Sequence, residues 1–389
     1  MRLIVVTKGF PPTTGGIERL AGTLVKGLQQ RHDIRVITFM PENDQPDSLG
    51  RPAMITTVPI SPIGLVNYVR MRRALKTLIR AERPDMIVSL TWKTAIPVLS
   101  GNLVQRIPVI LIAHGAELVR YKQRPWIMML MRRIFSAAQH VIAVSHVTKE
   151  MVLEFTRVPS DRVTVVHNGI DLDPIKPVNS AAARRQLGFP DDLLLATISR
   201  LEWRKGHEVV LRLLPKLRQA VPNLRYIIVG DGSYRSKLEA IAKELGDDAD
   251  YVSFTGRVSD SELPLYYSAC DIFIMLNRKP LKEDDFEGFG LALAEAGAYG
   301  KPSIAGDNSG PREVIIQGET GLLVDPEDDE AVFNAIHTLC LRADLRQSMG
   351  AQAKSHIRSR HSMETMVAGT EVVLAQQLAI HSGHSIQAD

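Results

Sequence analysis

At 389 residues, 45% of them hydrophobic and 23% charged, the chain is too long for one ordinary core and too apolar for wholesale disorder, which leads to an expectation of two α/β domains. Two cysteines, Cys270 and Cys340, supply neither a disulfide framework nor a zinc cluster, and no apolar run reaches the roughly eighteen residues of a membrane span, because Lys93 and Arg106 interrupt the best stretch. The formal net charge of +4 hides a division: residues 1–180 hold about 24 basic against about 13 acidic side chains and the remainder about 23 against about 30, so a polyanionic partner, anionic lipid or nucleic acid, is expected for the first half alone.

The chain opens with MRLIVVTKGF, which has no signal-peptide layout and runs straight into a strand, as expected of a cytoplasmic protein. Strands are predicted at Leu3–Thr7, Ile34–Phe39, Met86–Ser89, Val109–Ala113, Val141–Val144 and Val163–Val166, with helices such as Ile17–Gln30 and Val66–Glu82 between them. The segment DLDPIKPVNS, with its two prolines, reads as a linker. Alternation then resumes, with strands at Leu194–Ser199, Arg225–Val229, Val252–Thr255, Ile272–Leu276 and Lys301–Ala305, and helices including His207–Gln219 and Arg235–Leu245. Asp329–Gln377 is mostly helical, and the tail HSGHSIQAD is expected to fray. This pattern predicts two doubly wound parallel sheets with ligand sites at their carboxyl ends, facing one another across a cleft.

Several motifs fall at those ends. Gly15 and Gly16 follow the first strand and precede a helix, where they serve either an anion approached by backbone N–H groups or a tight turn; the loop is neither GxGxxG nor a P-loop, which argues against NAD or ATP. Arg200 and Lys205 in SRLEWRKGH are either a diphosphate clamp or a solvated basic loop, and Arg204 between them is equally a surface residue. In EGFGLALAEAGAYGKP, Glu287 is placed at or just before a helix start and Glu295 about two turns in on the same face, a pair suited to sugar and ribose hydroxyls. The amides of Gly288, Phe289 and Gly290 are candidates for phosphate or sugar oxygens; a helix-start charge for Glu287 and an ion pair for Glu295 are the plainer alternatives. His114, in the loop AHGAE with Glu117 nearby, is either a cleft residue or a structural histidine.

Together these residues resemble the retaining glycosyltransferases of family 4. The likeness runs through Gly15-Gly16-Ile17-Glu18, His114-Gly115, Ser145, the NGID turn at Asn168–Asp171, SRLEWRKG, Gly230-Asp231-Gly232, GRVSDSELPLYYSACDIFIM and the Glu287-to-Glu295 motif. It covers nearly the whole chain, and the HGAE and FEGFG segments look most like bacterial mannosyltransferases acting on lipid or exopolysaccharide acceptors. The resemblance implies the GT-B fold, two Rossmann-like domains at 1–175 and 176–360, and a C-terminal helix within 361–389 returning to the first. It implies Arg200 and Lys205 on the donor diphosphate, helped by the amides of Gly16 and Phe289; Glu295 on the ribose; Glu287 and His114 on the transferred sugar; and Gly256, Arg257 and Val258 beside the base. It also implies a metal-independent hexosyl transfer with retention, no cofactor beyond the substrate GDP-mannose or UDP-hexose, and a hydroxyl acceptor carried on a lipid. One departure stands out: Asn308-Ser309-Gly310-Pro311-Arg312-Glu313 replaces the Gly-Gly pair that relatives place before a glutamate, so the loop beside the donor differs.

Basic residues gather in two stretches, Arg70, Arg72, Arg73 and Lys76 on one predicted helix, and Arg120, Lys122 and Arg124 beside Trp126. They suit either an interfacial helix on the inner face of an anionic membrane or a buried WIMML core with a solvated rim. An epimerase or phosphorylase of the same fold is the nearest alternative activity, although no cofactor-lysine arrangement is evident. A nucleic-acid-binding protein is the alternative of another class, disfavoured by the lack of interleaved aromatic and basic residues.

Overall fold

The computed structural model describes residues 1–13, 15–40, 55–100, 107–278, 287–308 and 310–383. They form two compact units: Met1–Ile170 with the C-terminal segment from Ser362, and Asp171–His361. The expected fraying of the last residues falls, from 384 onward, outside the described residues.

The first unit holds β1 (Arg2–Thr7), β2 (Asp33–Met40), β3 (Ile55–Pro59), β4 (Met86–Ser89), β5 (Val109–Ala113), β6 (His140–Ala143) and β7 (Val163–Val165), in the order 3-2-1-4-5-6-7. The second holds β8 (Leu193–Ile198), β9 (Leu224–Val229), β10 (Val252–Gly256), β11 (Ile272–Met275), β12 (Ser303–Gly306) and β13 (Gly321–Val324), in the order 10-9-8-11-12-13. All paired strands run parallel, with Leu3 against Ile34 and Met86, and Leu195 against Tyr226 and Ile272. Runs such as LIVV and VILIA are buried on both faces, as helix-covered parallel strands require. In each sheet the winding reverses beside the first strand, between β1 and β4 and between β8 and β11, and ligands of doubly wound folds bind outside the carboxyl ends at that reversal.

Two glycines of the first unit, one of them in the NGID motif, are explained by packing inside it. A Cβ on Gly169 of the NGID turn would lie 2.2 Å from the Ser362 carbonyl, where the Met363 amide donates to the Ile170 carbonyl over 2.9 Å. That contact starts the helix Met363–His381, which packs on the helix Gly16–Leu28; a Cβ on Gly27 would lie 2.3 Å from Val367. Ser145 has a local role, accepting from the Thr148 amide as the N-cap of the helix His146–Thr156.

Candidate active site

In the second unit, the loop after β8 is built by backbone-to-backbone packing. Gly230 takes φ 129°, and a Cβ there would sit 1.9 Å from the Ser199 carbonyl; on Gly206, with φ 73°, it would sit 2.2 Å from the Leu276 carbonyl. The Leu201 amide donates to the Asp231 carbonyl and the Arg278 amide to the Arg204 carbonyl, at 3.0 and 2.8 Å. Loops after β8, β9 and β11 therefore hold each other at the reversal of the sheet. Beneath them His207 is buried, its ring bonded to the Tyr226 hydroxyl at 3.1 Å and to the Ser199 hydroxyl at 3.3 Å. Burial, reinforced by the nearby Lys205 charge, drives the His207 pKa down to about 3, so the ring is neutral.

This scaffold gathers charge on one carboxylate. Glu287 Oε2 accepts from Lys205 Nζ at 2.5 Å, Arg204 Nη1 at 2.7 Å and Asn277 Nδ2 at 3.2 Å. Arg204 also reaches Glu202 through Nε at 3.0 Å. Burial pushes the Glu287 carboxyl up, but the Lys205 and Arg204 charges and their hydrogen bonds outweigh it and hold it at about 2. Burial lowers the Lys205 ammonium against the opposing pull of Glu287. The Glu287 side chain keeps 18% exposure, Lys205 only 9%. A buried cation pair with one partly open anion has the charge to meet a phosphate and a hydroxyl.

Arg200, expected next to Lys205, lies outside this cluster: its side chain is 74% exposed and pairs with Glu202 at 3.0 Å. Arg204, read equally as surface, is the buried cation, because the Arg278 amide fixes its carbonyl and Gly206 turns the chain inward behind it. Glu287 sits in the loop before the helix Leu291–Ala298, which Gly290 starts with φ 100°. Glu295 therefore lies one turn in rather than two, and accepts from the Tyr267 hydroxyl at 2.6 Å. Gly288 and Phe289 pack backbone-close on Gly310, whose amide donates to the Glu287 carbonyl at 3.1 Å; Phe289 is buried against His361. Arg257 is exposed and Val258 half-buried just after β10. Asn277, Tyr267 and the buried Arg278, which binds Glu208, were missed; their positions at strand and helix ends held the only signal.

In the first unit, His114 follows β5 and its Nε2 lies 2.7 Å from the Leu90 carbonyl at the end of β4. A carbonyl only accepts, so Nε2 is the donor of this hydrogen bond. Glu117 accepts from the His114 amide at 2.7 Å. At Gly15 and Gly16 the Glu18 carboxylate folds back over the loop, so that a Cβ on Gly15 would meet its Oε2 at 2.1 Å.

The basic stretches of this unit separate into inward and outward members. Arg72 is half-buried and bonds the Pro97 and Ser100 carbonyls. Arg70, Arg73 and Lys76 are exposed on the helix Gly64–Glu82, near Ile63 and Leu65, the latter 72% exposed. Arg120, Lys122 and Arg124 are exposed ahead of the helix Pro125–Ala137, which buries Ile127, Met128 and Met131 but leaves Trp126 65% exposed and Met129 open as well. The helix Trp92–Leu99 packs against both of these helices. Among the described residues no helix is long and apolar enough to cross a membrane.

Two family descriptions match the chain, glycosyltransferase family 4 over residues 14–174 and glycosyl transferases group 1 over residues 179–356. The chain is 29% identical over 378 residues to a GDP-mannose-dependent alpha-(1-6)-phosphatidylinositol monomannoside mannosyltransferase of Mycobacterium tuberculosis, covering 94% of this chain and 96% of that one. It is 27% identical over 382 residues to the corresponding monoacylated-substrate mannosyltransferase of Corynebacterium glutamicum, with 94% and 95% covered. Among solved structures it superposes on HepE of Anabaena in complex with UDP, with a TM-score of 0.81, 21% identity, and 97% of this chain and 100% of that one covered. Sucrose-phosphate synthase of Thermosynechococcus elongatus gives a TM-score of 0.81 at 22% identity, with 98% and 100% covered, and both share the GT-B fold. With both sheets, both reversals and both family descriptions in agreement, the chain joins a family 4 glycosyltransferase domain to a group 1 domain and is a hexosyltransferase that draws on a nucleotide-sugar donor.

Proposed function

We propose that the protein transfers mannose from GDP-mannose to a hydroxyl of a phosphatidylinositol-type glycolipid at an anionic membrane surface. The observation that carries the reading is the Lys205–Glu287–Arg204 cluster at the reversal of the second sheet. The names of the full-length relatives support mannose, guanosine and the lipid acceptor. In this reading Lys205 takes the donor diphosphate, and Arg200, on its exposed side chain, swings to join it. The amide of Phe289 assists. Glu295, oriented by Tyr267, takes the ribose hydroxyls, and Glu287 a hydroxyl of the sugar. Arg257 and Val258 border the base.

His114, at the carboxyl end of β5, contacts a substrate hydroxyl. Transfer proceeds with retention: the bond from the anomeric carbon to the phosphate oxygen breaks, the acceptor oxygen bonds to the same face, and its proton passes to the departing phosphate. Lys205 stabilises the negative charge that grows there without a metal ion. Arg70, Arg73, Lys76, Arg120 and Arg124, with Ile63, Leu65 and Trp126, rest on the lipid surface.

The test is thermal stabilisation by GDP-, UDP- and ADP-sugars, followed by transfer of labelled mannose to phosphatidylinositol mannosides. A donor at a hundred times its dissociation constant adds about 2.7 kcal/mol. Stabilisation by GDP-mannose with label in the lipid fraction is expected. A response to UDP-sugars alone would replace the donor, and label confined to water-soluble acceptors would remove the lipid.

A further inference from the structure

We propose that Arg204 is a positioning residue that aims Glu287 at the sugar, an inference that rests on the reading of Glu287 as an acceptor of a sugar hydroxyl. Its guanidinium bridges two carboxylates, reaching Glu287 Oε2 through Nη1 at 2.7 Å and Glu202 through Nε at 3.0 Å. Its main chain is fixed as well, since its carbonyl accepts from the Arg278 amide and Gly206 follows it in a left-handed turn. A planar cation anchored at both ends sets the plane of the carboxylate it holds, which a lysine's single ammonium does not. Glu287 Oε2 is thereby saturated by Arg204, Lys205 and Asn277, and Oε1 is the oxygen left clear of these three bonds on a side chain that retains some exposure.

The two cations then have different fates when a donor binds. Lys205 exchanges Glu287 for the incoming diphosphate. Glu287, an ion that cannot be left buried and unpaired, stays charged because Arg204 and Asn277 keep hold of it. The carboxylate thus stays aimed while its lysine is lent to the leaving group. Arg204 touches neither donor nor acceptor and acts through Glu287.

Wild type, Arg204→Met, Arg204→Lys and Glu287→Gln are to be compared with GDP, GDP-mannose and GDP-mannose analogues that each lack one ring hydroxyl, or with the UDP counterparts if the donor panel selects uridine. Glu287→Gln is expected to lose discrimination against one particular analogue. Arg204→Met should lower kcat with the complete donor by about 10² while GDP affinity holds within about threefold, and that loss should vanish on the same analogue. Arg204→Lys, which keeps the charge without the bridge, should fall between, and it carries the comparison if the methionine variant does not fold. An equal loss on every analogue, or a loss of GDP affinity in step with kcat, would make Arg204 a structural or phosphate-binding residue and overturn the inference. Full discrimination in Glu287→Gln would remove the Glu287 reading and this inference together, whereas discrimination lost in Glu287→Gln and kept in the Arg204 variants would remove this inference alone.

Discussion

Lys205 is buried beside a second cation, and the carboxylates of Glu287 and Glu202 make that arrangement tolerable. Removing the ammonium therefore relieves crowding in the resting protein but leaves the departing phosphate unneutralised. Lys205→Ala should lower kcat by about 10² to 10³ while acceptor KM changes little, as initial rates at varied acceptor will show; equal losses in both would end the role proposed for Lys205. Lys205 and Glu287 were legible in the sequence because glycines flank both and mark loops at sheet ends. Arg204 was not legible. Its burial goes with the hydrogen bond from the Arg278 amide to its carbonyl and the close approach of Gly206 to Leu276, far along the chain, and nothing local separates it from the exposed Arg200.

At the scale of elements, the loop after β8 depends on glycines that no other residue can replace. Gly230→Ala would combine a left-handed φ with a Cβ driven into the Ser199 carbonyl. It should cost about 3 kcal/mol, seen as a lowered melting temperature of the second unit, and should weaken nucleotide binding beyond that cost. The helix starting at His207 adds a pH dependence. A folded-state pKa of about 3 against an unfolded value near 6.5 means that the unfolded chain binds the extra proton. The stabilisation is complete above pH 6.5 and is lost as pH falls towards 3, amounting to about 2 kcal/mol by pH 5. His207→Gln should be less stable at neutral pH yet flatter across this window in denaturant titrations; parallel slopes for the two proteins would contradict the assignment. Most strands could be read from β-branched runs. The exceptions, β3 and β13, are edge strands: ITTVP is half polar, and GLLV follows directly on a turn, so neither carries the apolar signature of a doubly covered strand. The helix after Glu287 starts at Leu291, where Gly290 ends the loop, so Glu287 lies ahead of it.

For the molecule as a whole, the uneven charge is matched by real surface. The exposed Arg73 and Lys76 share a helix with the exposed Leu65, and Trp126 opens the other basic stretch. With about 1 kcal/mol for each cation near an anionic surface, the double change Arg73→Glu, Lys76→Glu should reduce binding to phosphatidylinositol-containing vesicles at least about tenfold in flotation assays, with little effect on neutral vesicles. Unchanged flotation would leave the basic stretches as a solvated rim. Sequence alone divided the chain at its proline-rich linker but did not reveal which of these arginines turn inward, since Arg72 is drawn in by carbonyls at Pro97 and Ser100.

The path of the chain also orders its birth. Every residue of the second unit leaves the ribosome before Met363–His381, the helix that completes the first. Until then Leu20, Leu24 and Val25 lack the layer that Met363, Met366, Val367 and Leu374 later provide. The nascent first unit must wait, its core open on one side, while the second unit, inserted in its sequence, folds. The helix Met363–His381 is thus what lets the much earlier helix Gly16–Leu28 complete its packing.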